Sequence, residues 1–184
     1  LIDLSILPAR LPVPATSFGP VTVTRLAAKH QDVLCQASRL AADSVKPWMG
    51  SQLCPVTPVA ARQCIEQQEQ LRHTGYGITY LLMHEQACLG LGTINHIHAV
   101  HGTGNLGYWI RPDVAGRGLA VTLCQSLIKL AFAQMGMHRL ELFIEPANQP
   151  SLRVAEKLGA IKEGLCRKRI SGRDAWLYAL VSEG

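Results

Sequence analysis

Three strand-like runs, residues 76–83, 88–98 and 104–111, follow one another with only polar turns between them. Strands joined by such short turns pair antiparallel, because a parallel pair needs a crossover of a dozen residues or more. A doubly wound parallel sheet is therefore excluded. Around these strands the other elements fall into place. Val21-Thr22-Val23-Thr24 is β-branched throughout and predicts a strand. Val33, Ala37, Leu40 and Ala41 recur at helical spacing. Thr57-Pro58 has the form of an N-cap followed by proline at the first helical position, opening a helix that runs to Leu71. Leu119, Leu123, Leu127 and Leu130 mark a third helix, with Thr122, Gln125, Ser126 and Lys129 opposite. A strand at 139–145 comes next, then a helix at 150–158 closed by Gly159, then two strands hinged at Ser171-Gly172. The order β-α-α-β-β-β-α-β-α-β-β predicts an α+β domain. Its central sheet is mixed and mostly antiparallel, with about seven strands and helices on both faces.

At 184 residues the chain fits one domain, 1–184, with residues 1–16 as an extended Pro-rich lead-in. Hydrophobic residues make up 48% and charged residues 17%, which argues against disorder. The apolar runs are too short to span a membrane, and the start has no basic region of the signal-peptide kind. Residue 1 is not Met, so the numbering need not begin at the genetic start. The six cysteines form no C-x-x-C pair, and Cys35, Cys64 and Cys124 fall on apolar stretches. They read as reduced thiols of a cytoplasmic protein rather than as metal ligands. The net charge of +5 suits an acidic ligand such as a phosphate-bearing cofactor. No dense basic stripe interleaved with aromatics argues for nucleic acid.

The stretch from Tyr108 to Ala120 is the richest in chemistry. An apolar strand breaks at Pro112, Gly116 and Gly118 follow, and a helical pattern begins at once. Helix N-termini carry unpaired N–H groups and a positive dipole end, and glycine lets a ligand come close. Such a strand–loop–helix is either an ordinary connection or an anion site. The spacing fits neither G-x-G-x-x-G nor a P-loop. It resembles the pyrophosphate loop of the GNAT acetyltransferases, R/Q-x-x-G-x-G/A, with Ala115 at the first position and Gly118 and Ala120 at the last two. About thirty residues on, Glu145-Pro146-Ala147-Asn148-Gln149-Pro150-Ser151 leads into Glu156-Lys157-Leu158-Gly159-Ala160 and Glu163-Gly164. This resembles the E-P-x-N-x-x-S…EKLGF…EG signature of the RimJ/RimL-type branch, the protein N-terminal acetyltransferases. Lys46-Pro47-Trp48-Met49 resembles that branch's PW segment.

The resemblance implies a GNAT fold in which the fourth and fifth strands splay apart, here Tyr108–Ile110 from Leu140–Ile144. It implies acetyl-CoA as cosubstrate and no metal. The backbone of Ala115, Gly116, Arg117, Gly118, Leu119 and Ala120 would hold the pyrophosphate. The edge Tyr108, Trp109, Ile110 would pair with the pantetheine arm and offer an N–H to the oxyanion. Asn148 is a turn residue on its own merits and a pantetheine ligand by resemblance. Ser151 is a helix-start residue on its own merits, and by resemblance its hydroxyl serves the leaving thiolate. Glu141 shares a strand face with Phe143 and Glu145 and is the candidate base, with His96 and His98 as further candidates. Trp48, placed in a loop between helices, is the candidate acceptor contact. The implied reaction is transfer of an acetyl group to a primary amine, foremost the α-amine of a protein such as a ribosomal protein. The alternatives are a small amine (antibiotic, polyamine or amino acid) and a non-catalytic acyl-CoA-binding module. A homodimer is compatible with all three. A membrane or nucleic-acid partner is not expected.

Overall fold

The computed structural model describes residues 3–183. In chain order the elements are β1 (Arg10–Leu11), β2 (Thr22–Arg25), α1 (Gln31–Met49), α2 (Pro58–His73), β3 (Ile78–His84), β4 (Ala87–His98), β5 (Thr103–Ile110), α3 (Leu119–Ala133), β6 (Arg139–Ile144), α4 (Gln149–Lys157), β7 (Ile161–Ile170) and β8 (Arg173–Val181). They build one eight-stranded sheet in the order β1-β2-β3-β4-β5-β6-β8-β7. Every neighbouring pair is antiparallel except β5–β6.

The eighth strand comes from the lead-in. Proline keeps its carbonyl but has no N–H, so the chain around Pro8 and Pro12 is tied down largely by donors from elsewhere. Arg25 donates twice, through its backbone N–H to Ala9 O at 2.8 Å and its guanidinium to Leu7 O at 2.7 Å. Tyr80 Oη donates to Pro8 O at 2.8 Å and Ser126 Oγ to Pro12 O at 2.9 Å. Leu4, Leu7 and Leu11 are buried in the main core.

Each sheet face carries its own apolar layer. Leu106, Leu119, Leu123, Leu127, Leu140 and Leu142 pack on the side of α3 and α4. Leu34, Ala41, Ile65, Leu81, Leu91 and Trp109 pack on the side of α1 and α2. Helix α3 lies close on β4 because Gly92 has no side chain; a Cβ there would sit 2.7 Å from Leu127 Cδ1. Helix α1 is longer than the apolar spacing suggests. Pro47 lies in its last turn, where its missing N–H forfeits one bond, and the helix stops at Gly50 with φ 69°. Trp48 is thus on that last turn and not in a loop between helices. Five of the six free cysteines are buried, and burial pushes the Cys64 thiol up to about 11 and the Cys88 thiol up to about 12. No helix is long and apolar enough to cross a membrane among the described residues.

The sheet parts in its middle. Strands β5 and β6 pair only through Thr103–Arg139, Gly104–Leu140 and Asn105–Glu141. Beyond that, β5 keeps β4 and β6 keeps β8, but Leu106–Ile110 and Leu142–Ile144 have no bond to each other. This is the splay expected between the fourth and fifth of seven strands. It begins at Leu142, two residues later than the sequence reading placed it.

Candidate active site

The backbone after β5 supplies a row of free donors. Arg111 N–H closes β5 onto Leu89 O at 2.8 Å, and Pro112–Val114 forms a single 3-10 turn. Val114 N–H bonds to Arg111 O and Ala115 N–H to Pro112 O, both at 3.2 Å. Ala115 therefore has no donor left for a ligand, a correction to the sequence reading. Gly116 and Gly118 take φ 78° and 79°, the left-handed region that glycine enters without strain. Gly118 is the N-cap of α3 and brings no side-chain cap. The first helical amide to find a partner is Thr122, on Gly118 O at 3.0 Å. Among the described residues, the amides from Gly116 to Val121 have no acceptor. Nothing lies within 4 Å of a Cβ built on either glycine, so the space over the loop is open. Arg117 reaches toward the segment just before β2, its guanidinium 5.5 Å from the Phe18 ring centre. Arg111 is not a free cation, since it grips Asp113 at 3.0 and 2.5 Å. Those bonds raise its pKa and hold the Asp113 carboxyl below its usual range.

The parted strand adds a second row. Arg111 N–H points to β4, so strand alternation turns the N–H and C=O of Tyr108 and Ile110 away from β4, into the gap. Trp109 has the opposite sense. Its backbone faces β4, its ring lies in the α1–α2 core and its indole N–H donates to Leu53 O at 2.7 Å. Of the three edge residues expected to pair with a ligand, two can and Trp109 cannot.

Across the gap stands the start of α4. Asn148 is its N-cap, and Oδ1 accepts the Ser151 N–H at 3.3 Å, while the carboxamide N–H₂ has no acceptor among the described residues. Ser151 is the third residue of the helix and half-buried. Its side chain faces the hydroxyl of Tyr108. That hydroxyl is buried with no hydrogen-bond partner among the described residues. Burial pushes the phenol pKa well above its ordinary value, with the Cys124 thiol adding to the rise and Ser151 opposing it.

At the vertex of the gap lies a polar row. Asn105 is in register with Glu141, and Asn105 Nδ2 donates to Asn95 Oδ1 at 2.9 Å. Glu141 Oε1 accepts from Arg139 Nε at 2.8 Å, while Arg139 also forks onto Glu163 at 2.9 and 2.5 Å. The shared guanidinium holds the Glu163 carboxyl below its usual range. Asn95 and His96 line a cavity of about 200 Å³ with Gln52, Gln67, Gln68 and Tyr76. A bulge in β4 between Asn95 and His98 sets the two histidines apart. His96 faces that cavity, whereas His98 stacks on His101 in the following turn at 4.2 Å.

The open end holds an ion pair that sequence reasoning missed. Glu145, 8% exposed, accepts two bonds from Arg173, each 2.7 Å long. Arg173 also donates to Pro47 O at 2.9 Å, one residue before Trp48. The hairpin of β7 and β8 is thus tied to the end of α1 across the mouth of the gap. The one sequence signal was Glu145 at a strand end before proline; nothing linked it to an arginine 28 positions away.

The comparisons agree with this geometry. The chain is 28% identical over 168 residues to the uncharacterized N-acetyltransferase p20 of Bacillus licheniformis, covering 88% of this chain and 92% of that one. It is 27% identical over 125 residues to the ribosomal-protein-serine acetyltransferase of Escherichia coli strain K12, covering 65% and 69%. In structure it is similar to RimL, a ribosomal alpha-N-protein acetyltransferase in complex with coenzyme A. The TM-score is 0.83 at 20% identity, over 94% of this chain and 97% of that one. The family described as Acetyltransferase (GNAT) domain matches residues 21–161, a span that holds the free-amide loop, the parted strands and the start of α4. The chain belongs to the GNAT acetyltransferases and is an N-acetyltransferase.

Proposed function

We propose that the protein transfers the acetyl group of acetyl-CoA to the α-amine of a protein or peptide. The observation that carries the cosubstrate half is the continuous track of unpartnered backbone donors. It runs from Gly116–Val121 along the Tyr108 and Ile110 edge to the start of α4. A pyrophosphate suits the loop, where amide dipoles and the positive helix end converge. An amide-bearing arm suits the strand edge and the free carboxamide of Asn148. Acetyl-CoA supplies the activated acyl group and a thiolate that leaves. The chain must then orient a carbonyl, accept a proton from the amine and meet the developing charge on sulfur. The Tyr108 and Ile110 amides face the gap and suit the first task. Glu141, at the vertex, is the proposed proton acceptor, directly or through one water. Ser151 is the proposed donor toward sulfur.

The α1–α2 face supports an acceptor of peptide character. The cavity there is lined by three glutamines, Asn95, His96 and Tyr76 between Leu53 and Leu71, a mix of hydrogen-bonding and apolar groups that suits a peptide. It communicates with the vertex through the Asn95–Asn105 bond. Trp48, on the last turn of α1 next to the Pro47 carbonyl that Arg173 holds, is the proposed acceptor contact. An α-amine, with a pKa of about 8, is about a tenth uncharged at neutral pH, whereas a lysine side chain near 10.4 is almost wholly charged. A carboxylate already shared with Arg139 suits the easier amine. The reduced state of the six cysteines supports a cytoplasmic setting.

The test is release of free thiol from acetyl-CoA with three acceptor sets: peptides with free N-termini, N-blocked peptides with internal lysine, and small amines. Turnover on free N-termini and little on blocked peptides is expected. Turnover confined to lysine or to small amines would overturn the acceptor assignment.

A further inference from the structure

Two buried side-chain oxygens have no hydrogen-bond partner among the described residues, Ser38 Oγ and Tyr108 Oη. Ser38 lies inside α1, away from the gap. Tyr108 lies on the gap itself. Its neighbours on β5 alternate, so its ring points to the α3–α4 face, where it packs on the main core beside Cys124. Ser151, at the start of α4, is the hydroxyl that faces it. Ser151 Oγ makes no hydrogen bond within the described chain, and only its backbone N–H is used by the cap. Leaving a buried hydroxyl unpaired is costly, so one that lies on the gap calls for a partner there, a catalytic role or a bound ligand.

We propose that Tyr108 is a positioning residue for the transfer: once acetyl-CoA is seated, its O–H, unpaired in the free protein, turns to donate to the facing Ser151 hydroxyl oxygen, which leaves the Ser151 O–H to point at the sulfur. The inference rests on the reading of Ser151 given above. A serine hydroxyl alone is a free rotor. With one lone pair taken by a phenol, its own proton is aimed and polarised, because hydrogen bonds in a chain strengthen one another. As the acetyl C–S bond breaks and the C–N bond forms, the electron pair stays on sulfur. The sulfur then takes one proton through the Ser151 hydroxyl, which is restored from solvent, while Glu141 returns the amine's proton to solvent, so that one proton is gained and one lost. The phenol keeps its proton throughout, which its burial favours. Cys124 takes no part: it is buried in α3 and burial pushes its thiol pKa well up.

Tyr108→Phe tests this, because it keeps the ring and removes only the hydroxyl. Two quantities are read, kcat and the pKa of CoA thiol bound to the protein, the latter from thiolate ultraviolet absorbance in a pH titration without acceptor. The variant should bind CoA at low pH as the parent does and keep or raise its Tm. Its kcat should fall about three- to tenfold with the KM for acetyl-CoA unchanged, and the bound-thiol pKa should rise by about half a unit or more. In a Ser151→Ala background the same change should alter neither quantity further. An unchanged kcat and thiol pKa in Tyr108→Phe would overturn the proposal, as would equal losses in both backgrounds. If Ser151→Ala alone changes nothing while CoA binds, the Ser151 assignment falls and takes this one with it. If CoA fails to bind the parent protein, the cosubstrate reading itself is lost.

Discussion

Gly118 holds φ 79° with nothing within 4 Å of an added Cβ, so what a side chain would disturb there is the ligand and not the core. Gly118→Val should fold, at a cost of about 1–2 kcal/mol or more for a branched residue in the left-handed region. It should lose acetyl-CoA affinity at least tenfold, on the order of one lost charge-assisted contact, by calorimetry. Near-normal affinity with the fold intact would remove the loop assignment. Ser151→Ala leaves the Asn148 cap in place, since the cap uses the Ser151 backbone. Its kcat should therefore drop about ten- to a hundredfold without a matching loss in Tm. Asn148→Ala should do the converse in part, losing about 1 kcal/mol of stability along with pantetheine contact. For Glu141→Gln, kcat/KM should fall most at low pH, where the amine is charged and needs a proton acceptor. A profile parallel to the parent's would remove Glu141 from the mechanism. At this scale the sequence was legible where local backbone follows residue type and spacing: Gly116 and Gly118 take the left-handed region and Asn148 caps α4. It was not legible where hydrogen-bond direction decides. Ala115 spends its amide on Pro112 and Trp109 faces β4, facts of backbone orientation that residue type does not carry.

Among elements, the α1–α2 connection is tied to α1 by Arg39 Nε on Val56 O at 2.9 Å and to β5 by one indole. Trp109 Nε1 reaches Leu53 O at 2.7 Å, and Arg173 fixes the end of α1 through Pro47 O. Trp109→Phe removes the indole tie and leaves a carbonyl without its donor. A stability loss of about 1–3 kcal/mol in urea titration is expected, with a higher KM for the peptide acceptor and no change in acetyl-CoA affinity. A matching loss of cosubstrate affinity would mean that the loop does not serve the acceptor alone. The strands and the helices α2, α3 and α4 were readable because their apolar periods and caps are local, Thr57 and Pro58 being the clearest. The last turns of α1 were hidden. Lys46, Pro47 and Trp48 break the apolar spacing, and proline in a final turn costs little enough that packing on β5 carries the helix on; Met49 Cε lies 3.6 Å from a Cβ built on Gly107. The strand β1 was hidden for a related reason, because the prolines beside it, Pro8 and Pro12, suit only an edge, and an edge is known only from the whole sheet.

Across the molecule, pH acts through a buried imidazole at the root of α1. His30 Nδ1 accepts the Ala27 N–H at 3.0 Å, and burial, with Lys29 nearby, lowers its pKa below 6.5. A folded-state pKa below the unfolded one means the unfolded chain takes up the proton first. Stability from this group is complete above about pH 6.5 and is lost as pH falls from there toward the folded value. Urea midpoints at pH 7.5 and 5.5 should differ in the parent by more than in His30→Asn; equal differences would show that His30 is not the source. The eight-stranded order is also a statement about cooperativity. Strands β1–β5 and strands β6, β7 and β8 are two hydrogen-bonded blocks joined edge to edge by three residue pairs. Amide hydrogen exchange should resolve them as two opening units of unequal protection, with Tyr108 and Ile110 among the fastest strand amides in the free protein. A molecule lodged between the blocks would act as a missing rung, slowing those two amides and merging the two units into one.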